Sequence, residues 1–528
     1  MGQAEATKLF LDRQAMTSHT FVTGSTGTGK SNAVCRLLDE ITKDGKTTFL
    51  VVEPAKGEYK HIFGQEKAAV YGTNPVLTPL LRINPFAFPA GIHVLEHIDR
   101  MVEIFNACWP MYAAMPAVLK DAIERSYQKV GWNLRNSESE KGVFPTFFDL
   151  LDILPGVIEE SHYSKDTQSD YVGALCTRVK SLTNGIYGSV LCAEDALTDE
   201  ALFDRNVVVD LSRVGSMETK SLLMGILVMK LQEYRMCSSG MNSRLRHVTV
   251  LEEAHNLLRK TSAEQSQEGA NLQGKSVEML ANAIAEMRTY GEGFIIADQA
   301  PGLLDMSVIR NTNTKIILRL PDEEDRKLVG KSAALKEAQI DELSKLPLGV
   351  AAVYQNEWPE AVLCKIEAYP MPENAVYHKP SKMPHEINAE FVFGQLAVGK
   401  ELKPLSSSEM EQLKLWLKRH ETVLKPEDSR YLERVFAGGE LDVAKTRKAV
   451  FDFFGGIGTV VDYCVAAEKS LTPRKELLEQ LQGQYGLKAA AADWVLNSVI
   501  SMGMSLNPDA KAVESLRTNF EQQGGRVL

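Results

Sequence analysis

Eight consecutive residues, Gly24-Ser25-Thr26-Gly27-Thr28-Gly29-Lys30-Ser31, fill every fixed position of the pattern G-x-x-x-x-G-K-[ST]. The pattern suits one chemistry, the binding of a nucleotide phosphate chain. Glycines let the backbone curl until successive N–H groups point at a single anion. A helix starting at the end of the loop adds its positive dipole end to the same place. Lys30 can reach the β- and γ-phosphates, and the Ser31 hydroxyl can ligate Mg²⁺. The flanks agree: Thr20-Phe21-Val22 reads as a strand, and Ala33-Val34 through Leu37-Leu38 as a helix.

A phosphate-binding loop does not say what becomes of the phosphate. The apolar run Val248-Thr249-Val250-Leu251 ends in Glu252-Glu253. An acid at the end of such a strand can hold Mg²⁺ directly or through water, and its neighbour can polarise an attacking water. The first acid of such pairs is usually Asp. Glu252 is one methylene longer, which leaves open how the two carboxylates divide the work. Gln299 closes the next apolar run, Phe294 to Asp298. Its amide suits contact with a γ-phosphate or the attacking water, although a turn residue at a strand end reads equally well. Arg288 ends the helix before that run. It is either an exposed helix arginine or a residue that reaches a neighbouring subunit's nucleotide as an arginine finger. There is no N-K-x-D guanine signature, so the expected nucleotide is ATP with Mg²⁺.

These residues need a sheet to carry them. Strands are expected at 20–22, 47–52, 206–211, 247–251, 294–298 and 315–320, with a hairpin over 349–354 and 361–365. Helical patterns alternate with them, which predicts an α/β fold with a mostly parallel, doubly wound sheet. Strand 206–211 falls between the second strand and the one ending in Glu252, as in NTPases with an additional strand and a catalytic glutamate. Residues 84–203 are helical and aromatic, and read as an insertion with a small core of its own. Polar stretches at 136–141 and 261–274 read as loops. The domain plan is therefore an ATPase core in two parts, 1–83 and 204–370, divided by the insertion. A Pro-rich linker at 371–405 and a helical domain at 406–528 follow.

Composition narrows the class. The 528 residues carry 59 Lys and Arg against 69 Asp and Glu, a net charge of −10. That argues against a general nucleic-acid-coating protein and leaves room for DNA in a locally basic channel. Seven dispersed cysteines without a C-x-x-C pair read as reduced thiols of the cytosol. The most apolar helix candidate, Leu222 to Met229, is far shorter than the ~20 residues a bilayer requires. The expected location is cytoplasmic, with no membrane partner.

The segments GSTGTGKS (24–31), EPAKGEY (53–59), VVVDLS (207–212), VLEEAH (250–255) and MRTYGEGFIIADQAP (287–301), in this order, resemble the HerA-type ATPases of the HerA/FtsK superfamily. They span the framework of residues 19–365. The resemblance implies a RecA-like motor that assembles as a hexameric ring and translocates or remodels double-stranded DNA. It implies Lys30 and Ser31 on phosphate and Mg²⁺, Glu252 on Mg²⁺, Glu253 as base, Gln299 as sensor and Arg288 as finger in trans. Glu53 and Glu252 stand where the family commonly has Asp. The family's N-terminal β-barrel has no counterpart before residue 19, and the insertion and residues 380–528 lie outside the minimal motor. Related short ATPases accompany a nuclease or other effector in bacterial antiviral systems, so an effector partner is expected. Candidate DNA contacts are Arg259, Lys260 and Lys275 around one loop, and the segment Arg310–Lys315. Two alternatives stand beside the motor: a ring scaffold that gates a partner protein by nucleotide state, and a secretion or conjugation ATPase.

Overall fold

The computed structural model describes residues 8–527 except 65–66, 113, 140–141, 194–195, 262–271, 371–375, 380–386, 398–401, 406, 421–422, 471 and 486. Backbone contacts divide the chain into two compact units, residues 1–140 with 144–379, and residues 380–528 with 141–143.

The first unit is built on a nine-stranded sheet. In chain order its strands are β1 (Thr20–Thr23), β2 (Thr48–Glu53), β3 (Ala69–Gly72), β6 (Val207–Asp210), β7 (His247–Glu252), β8 (Glu292–Asp298), β9 (Thr314–Ile317), β10 (Val350–Gln355) and β11 (Val362–Lys365). A two-residue hairpin, β4 (Trp132–Asn133) with β5 (Glu138–Ser139), stands apart from it. The spatial order is β11-β10-β9-β1-β8-β7-β2-β6-β3. All pairings from β9 to β3 are parallel, and β10 and β11 run antiparallel at one edge. The strand carrying Gln299 at its end thus lies between the P-loop strand and the Glu252 strand. The edge strand β3 was not expected. Its four residues are too few to show a period.

The central strands are apolar without interruption because both faces are covered. Side chains alternate between two cores. One face holds Val22, Val51, Val250 and Ile295 against Ala33, Val34, Leu38 and Ile41 of the helix Lys30–Thr42. The other holds Phe21, Leu50, Leu251 and Ile296 against the helix Met217–Ser238, which is buried nearly all round. Phe86, Phe105, Tyr127, Phe147 and Leu175 belong to that same second core. The helical segment 84–203 therefore has no separate core, contrary to expectation. Its aromatic residues complete the apolar layer begun by the sheet and the helix Met217–Ser238.

At the entry of β8, the fully buried Glu292 accepts hydrogen bonds from His247 Nδ1 (2.7 Å), Thr249 Oγ1 (2.8 Å) and Arg235 Nε (3.0 Å). A buried carboxylate is tolerated when its charge is paired and its oxygens are bonded. These bonds tie the start of β8 to β7 and to the helix Met217–Ser238.

The second unit is helical, with a core of its own formed by residues such as Phe393, Leu432, Val450, Tyr463, Val495 and Phe520. The helix Ala389–Ala397 lies in the stretch expected to be linker, and its Val392, Phe393 and Leu396 are buried in this core. The helices Ile457–Lys469 and Ala510–Gln522 lie in the expected helical domain. Among the described residues, no single helix is long and apolar enough to cross a membrane.

Candidate nucleotide-binding site

The P-loop leaves the carboxyl end of β1 and turns into the helix Lys30–Thr42. Gly29 adopts φ 107°, a conformation that side-chain-bearing residues rarely take. At Gly24 a Cβ would come within 2.7 Å of Leu318 Cβ and 2.8 Å of Thr28 Oγ1. The loop is also pinned from the segment just after β9, because Ser25 N donates to the Arg319 carbonyl at 2.9 Å. Lys30 is buried, and its Nζ donates to the Gly24 carbonyl at 2.7 Å. Burial holds its pKa below the ordinary lysine value, while Glu253 and Glu252 oppose that shift.

Parallel strands bring the other groups to the same edge. Glu252 closes β7, and its carboxylate accepts a hydrogen bond from the phenol of Tyr59, which is wholly buried. Burial pushes Glu252 up to about 7, against the pull of Tyr59. Glu253 follows in the left-handed region, φ 44° and ψ 52°. Its carbonyl accepts from Asn256 N (2.9 Å) and Asn256 Nδ2 (2.7 Å). Its Oε2 is buried with no hydrogen-bond partner among the described residues. Burial first, then the Asp298 charge, raises the Glu253 pKa. Backbone outliers with unpaired buried oxygens concentrate at functional sites.

Asp298 ends β8 and is fully buried. It accepts from His255 N (2.8 Å) and Ala300 N (2.9 Å) and lies 2.9 Å from His255 Nδ1. Gln299 comes next, and its Oε1 accepts from the Thr26 hydroxyl at 2.8 Å. Glu53 closes β2 and accepts from Glu58 N (2.8 Å) and Tyr59 N (3.1 Å). Burial pushes it up to about 8 in spite of those two bonds. Beside it, Lys60 and Asp210 form a buried ion pair. This set suits a magnesium-bound triphosphate. It offers a glycine cradle, a buried ammonium, the Ser31 hydroxyl on the first helical turn, and two adjacent carboxylates, one with an uncommitted oxygen.

Arg288 is not brought to this cluster. It is exposed on the short turn Met287–Tyr290, at the opposite end of β8 from Gln299. Seven extended residues of β8 put about 23 Å between the two ends. The DNA-contact candidates divide. Arg259, Lys260, Lys275 and Arg310 are exposed. Lys315 is not available as a surface contact: it lies within β9, 2% exposed, with Nζ donating to the Thr312 carbonyl, and burial lowers it to about 8. Residues 262–271 of the expected polar loop lie outside the described residues. Residues 272–274, expected in that loop, begin the helix Leu272–Glu286.

The family model described as "Helicase HerA, central domain" matches residues 1–229. Over these residues the P-loop unit is similar to the HerA family. Two similar proteins carry the name or a related one. The DNA double-strand break repair helicase HerA of Sulfolobus acidocaldarius is 24% identical over 364 residues, covering 67% of this chain and 66% of the relative. A probable helicase of Methanocaldococcus jannaschii is 23% identical over 392 residues, covering 69% of each. The chain thus spans about two thirds of the length of these relatives. Among solved structures, VirB4 of Thermoanaerobacter pseudethanolicus shares the fold with a TM-score of 0.52 at 18% identity, covering 67% of this chain and 90% of that one. The plasmid coupling protein TrwB, solved with a non-hydrolysable ATP analogue, has a TM-score of 0.50 at 15% identity, covering 70% and 90%.

Within the P-loop unit, Tyr59, His255 and Asp298 are the site residues that motif reading passed over. All three sat inside segments already singled out, EPAKGEY, VLEEAH and FIIADQ. The signal was position: each lies at the carboxyl end of a parallel strand or just beyond it, where ligands bind in open α/β sheets.

Proposed function

We propose that this chain is an ATP-hydrolysing motor that works as a hexameric ring on double-stranded DNA. The observation that carries the reading is the convergence of the P-loop, Glu252–Glu253 and Gln299 on one edge of three adjacent parallel strands, β1, β8 and β7. The helicase names of its relatives support DNA as the substrate. When bound, MgATP supplies an electrophilic γ-phosphorus and a metal that neutralises phosphate charge. Lys30 and the P-loop amides hold the phosphates, and Ser31 and Glu252 hold the metal. Glu253 orients a water and takes its proton at the carboxylate. Gln299 reads the γ-phosphate through its amide. Arg288, remote from the site of its own chain, completes a neighbour's site. Contacts to DNA are expected with the backbone, from exposed groups such as Arg259, Lys260 and Lys275.

The test is ATP hydrolysis with and without duplex DNA across a salt series. Stimulation by DNA should fall steeply as salt rises. Hydrolysis indifferent to duplex at low salt overturns the DNA assignment. Images of the protein with ATP should show six-fold rings, and a monomer at all concentrations overturns the ring.

A second reading rests on the helical unit 380–528, which has its own core and lies outside the matched residues 1–229. In that reading the ring gates an effector, such as a nuclease in cytoplasmic antiviral defence, and residues beyond 380 hold the partner. Deleting them with no loss of assembly or partner binding overturns it.

A further inference from the structure

His255 and Asp298 have no part in the reaction as described, yet they stand against its proposed base. Asp298 has both oxygens committed: Oδ1 to Ala300 N, and Oδ2 to the backbone N of His255 and to its Nδ1 at 2.9 Å. Two bonds to one oxygen fix both the His255 backbone and the plane of its ring. The same Nδ1 lies 3.6 Å from Glu253 Oε2, the oxygen that is buried without a hydrogen-bond partner among the described residues. The Glu253 backbone cannot adjust freely, because Asn256 clamps its carbonyl from two donors. What remains to be set is the direction of the side chain.

We propose that His255, held by Asp298, is a positioning residue for Glu253. Resting on the hydrolysis reading above, this assignment gives the imidazole the task of drawing Oε2 inward by charge, so that the other carboxylate oxygen faces the attacking water. Asp298 favours the charged ring, its hydrogen bond raising the His255 pKa against the opposing effect of burial. Because Asp298 precedes Gln299, and Gln299 is bonded to Thr26, the direction of the base is tied to the strand that also touches the P-loop. A metal held by the three side chains is the competing use of this cluster, since their ligand atoms lie within 4.8 Å of one another. The committed oxygens of Asp298 favour the hydrogen-bonded role.

The experiment uses the full chain. Wild type, His255→Gln, Asp298→Asn, Glu253→Gln and the double variant His255→Gln/Glu253→Gln are compared by ATP turnover, KM and binding of a fluorescent ATP analogue. His255→Gln should lower kcat about 10- to 100-fold, the range seen when supporting partners of a reactive group are removed. KM and analogue affinity should stay within about two-fold, as for a group that acts only in the transition state. The double variant should turn over no more slowly than Glu253→Gln alone. Full activity in His255→Gln, an equal loss of analogue affinity, or an additive double variant each overturns the assignment. Should Asp298→Asn fail to fold, His255→Asn gives the same comparison. Turnover restored or lost on adding and chelating zinc, with magnesium constant, would assign the cluster to a metal instead. If the wild type binds the analogue and does not hydrolyse ATP, the hydrolysis reading itself fails. If it hydrolyses ATP and His255→Gln is unaffected, only the positioning role fails.

Discussion

The Thr26 hydroxyl in the P-loop donates to Oε1 of Gln299 across the junction between β1 and β8, at 2.8 Å. A residue proposed to sense the γ-phosphate is thus oriented by the loop that holds it. Gln299→Ala should lower kcat by about 10² or more, the scale for losing a transition-state donor. Thr26→Val should cost less, on the order of one hydrogen bond. The double variant should match Gln299→Ala alone. Steady-state hydrolysis of the three variants checks this, and additive losses would mean that Thr26 acts on something else.

Replacing Glu253 by Gln should leave nucleotide affinity intact and reduce turnover by about 10²- to 10⁴-fold, the contribution typical of a general base. Lys30→Ala should weaken binding and turnover together. Analogue binding measured beside hydrolysis separates the two. Normal turnover in Glu253→Gln would move the base elsewhere.

Tyr59→Phe removes the phenol that donates to Glu252. The buried carboxylate would lose a partner, at a cost of roughly 1–3 kcal/mol in stability. If Glu252 holds the metal, the magnesium concentration for half-maximal hydrolysis should rise about 10- to 100-fold. Thermal melting and a magnesium titration report the two effects independently.

Arg288 at the far end of β8 gives a mixing experiment. Arg288→Ala subunits and Lys30→Ala subunits, each inactive alone, should regain part of the wild-type turnover when mixed, since some interfaces then pair an intact P-loop with an intact arginine. Absence of recovery at every ratio, with mixed assemblies demonstrated, would count against action in trans.

The buried His19 carries a pH dependence whose sign is fixed. Phe294 N donates to its Nδ1 at 3.1 Å, and burial lowers its pKa from 6.5 to about 4. The unfolded chain therefore takes up a proton near pH 6.5 that the folded chain refuses until about pH 4. Stability from this group is complete above 6.5 and is lost as pH falls towards 4, by about 3 kcal/mol in all. Calorimetry of the sheet-containing unit should show its transition falling through that window. His19→Asn, which tolerates the residue's positive φ of 64°, should flatten the slope. His247, also lowered by burial, supplies a remainder.

What the sequence disclosed follows from where each signal is written. Strands buried on both faces must be apolar throughout, so β1, β2, β6, β7 and β8 stand out as runs, and the polar residues that end them mark the site edge. The bond from Tyr59 to Glu252 joins residues 193 positions apart, and only the pairing of β2 with β7 brings them together. Lys315 reads as surface because it is a lysine, yet a carbonyl within its own turn satisfies its ammonium inside the sheet. The aromatic residues of 84–203 announce burial without saying against what. The Pro-rich stretch 371–405 conceals the helix Ala389–Ala397, whose four buried residues belong to the core of the second unit.

Glu292 has one further consequence. Arg235, His247 and Thr249 clamp the first residue of β8, while Thr26 and His255 handle the tip at Gln299 and Asp298. The strand is anchored at its root by a buried charge network, and its tip is tied to the residues around the nucleotide site. If Arg288 acts in trans as proposed, it does so from the anchored root of β8, and the tip at Gln299 is left to respond to the nucleotide.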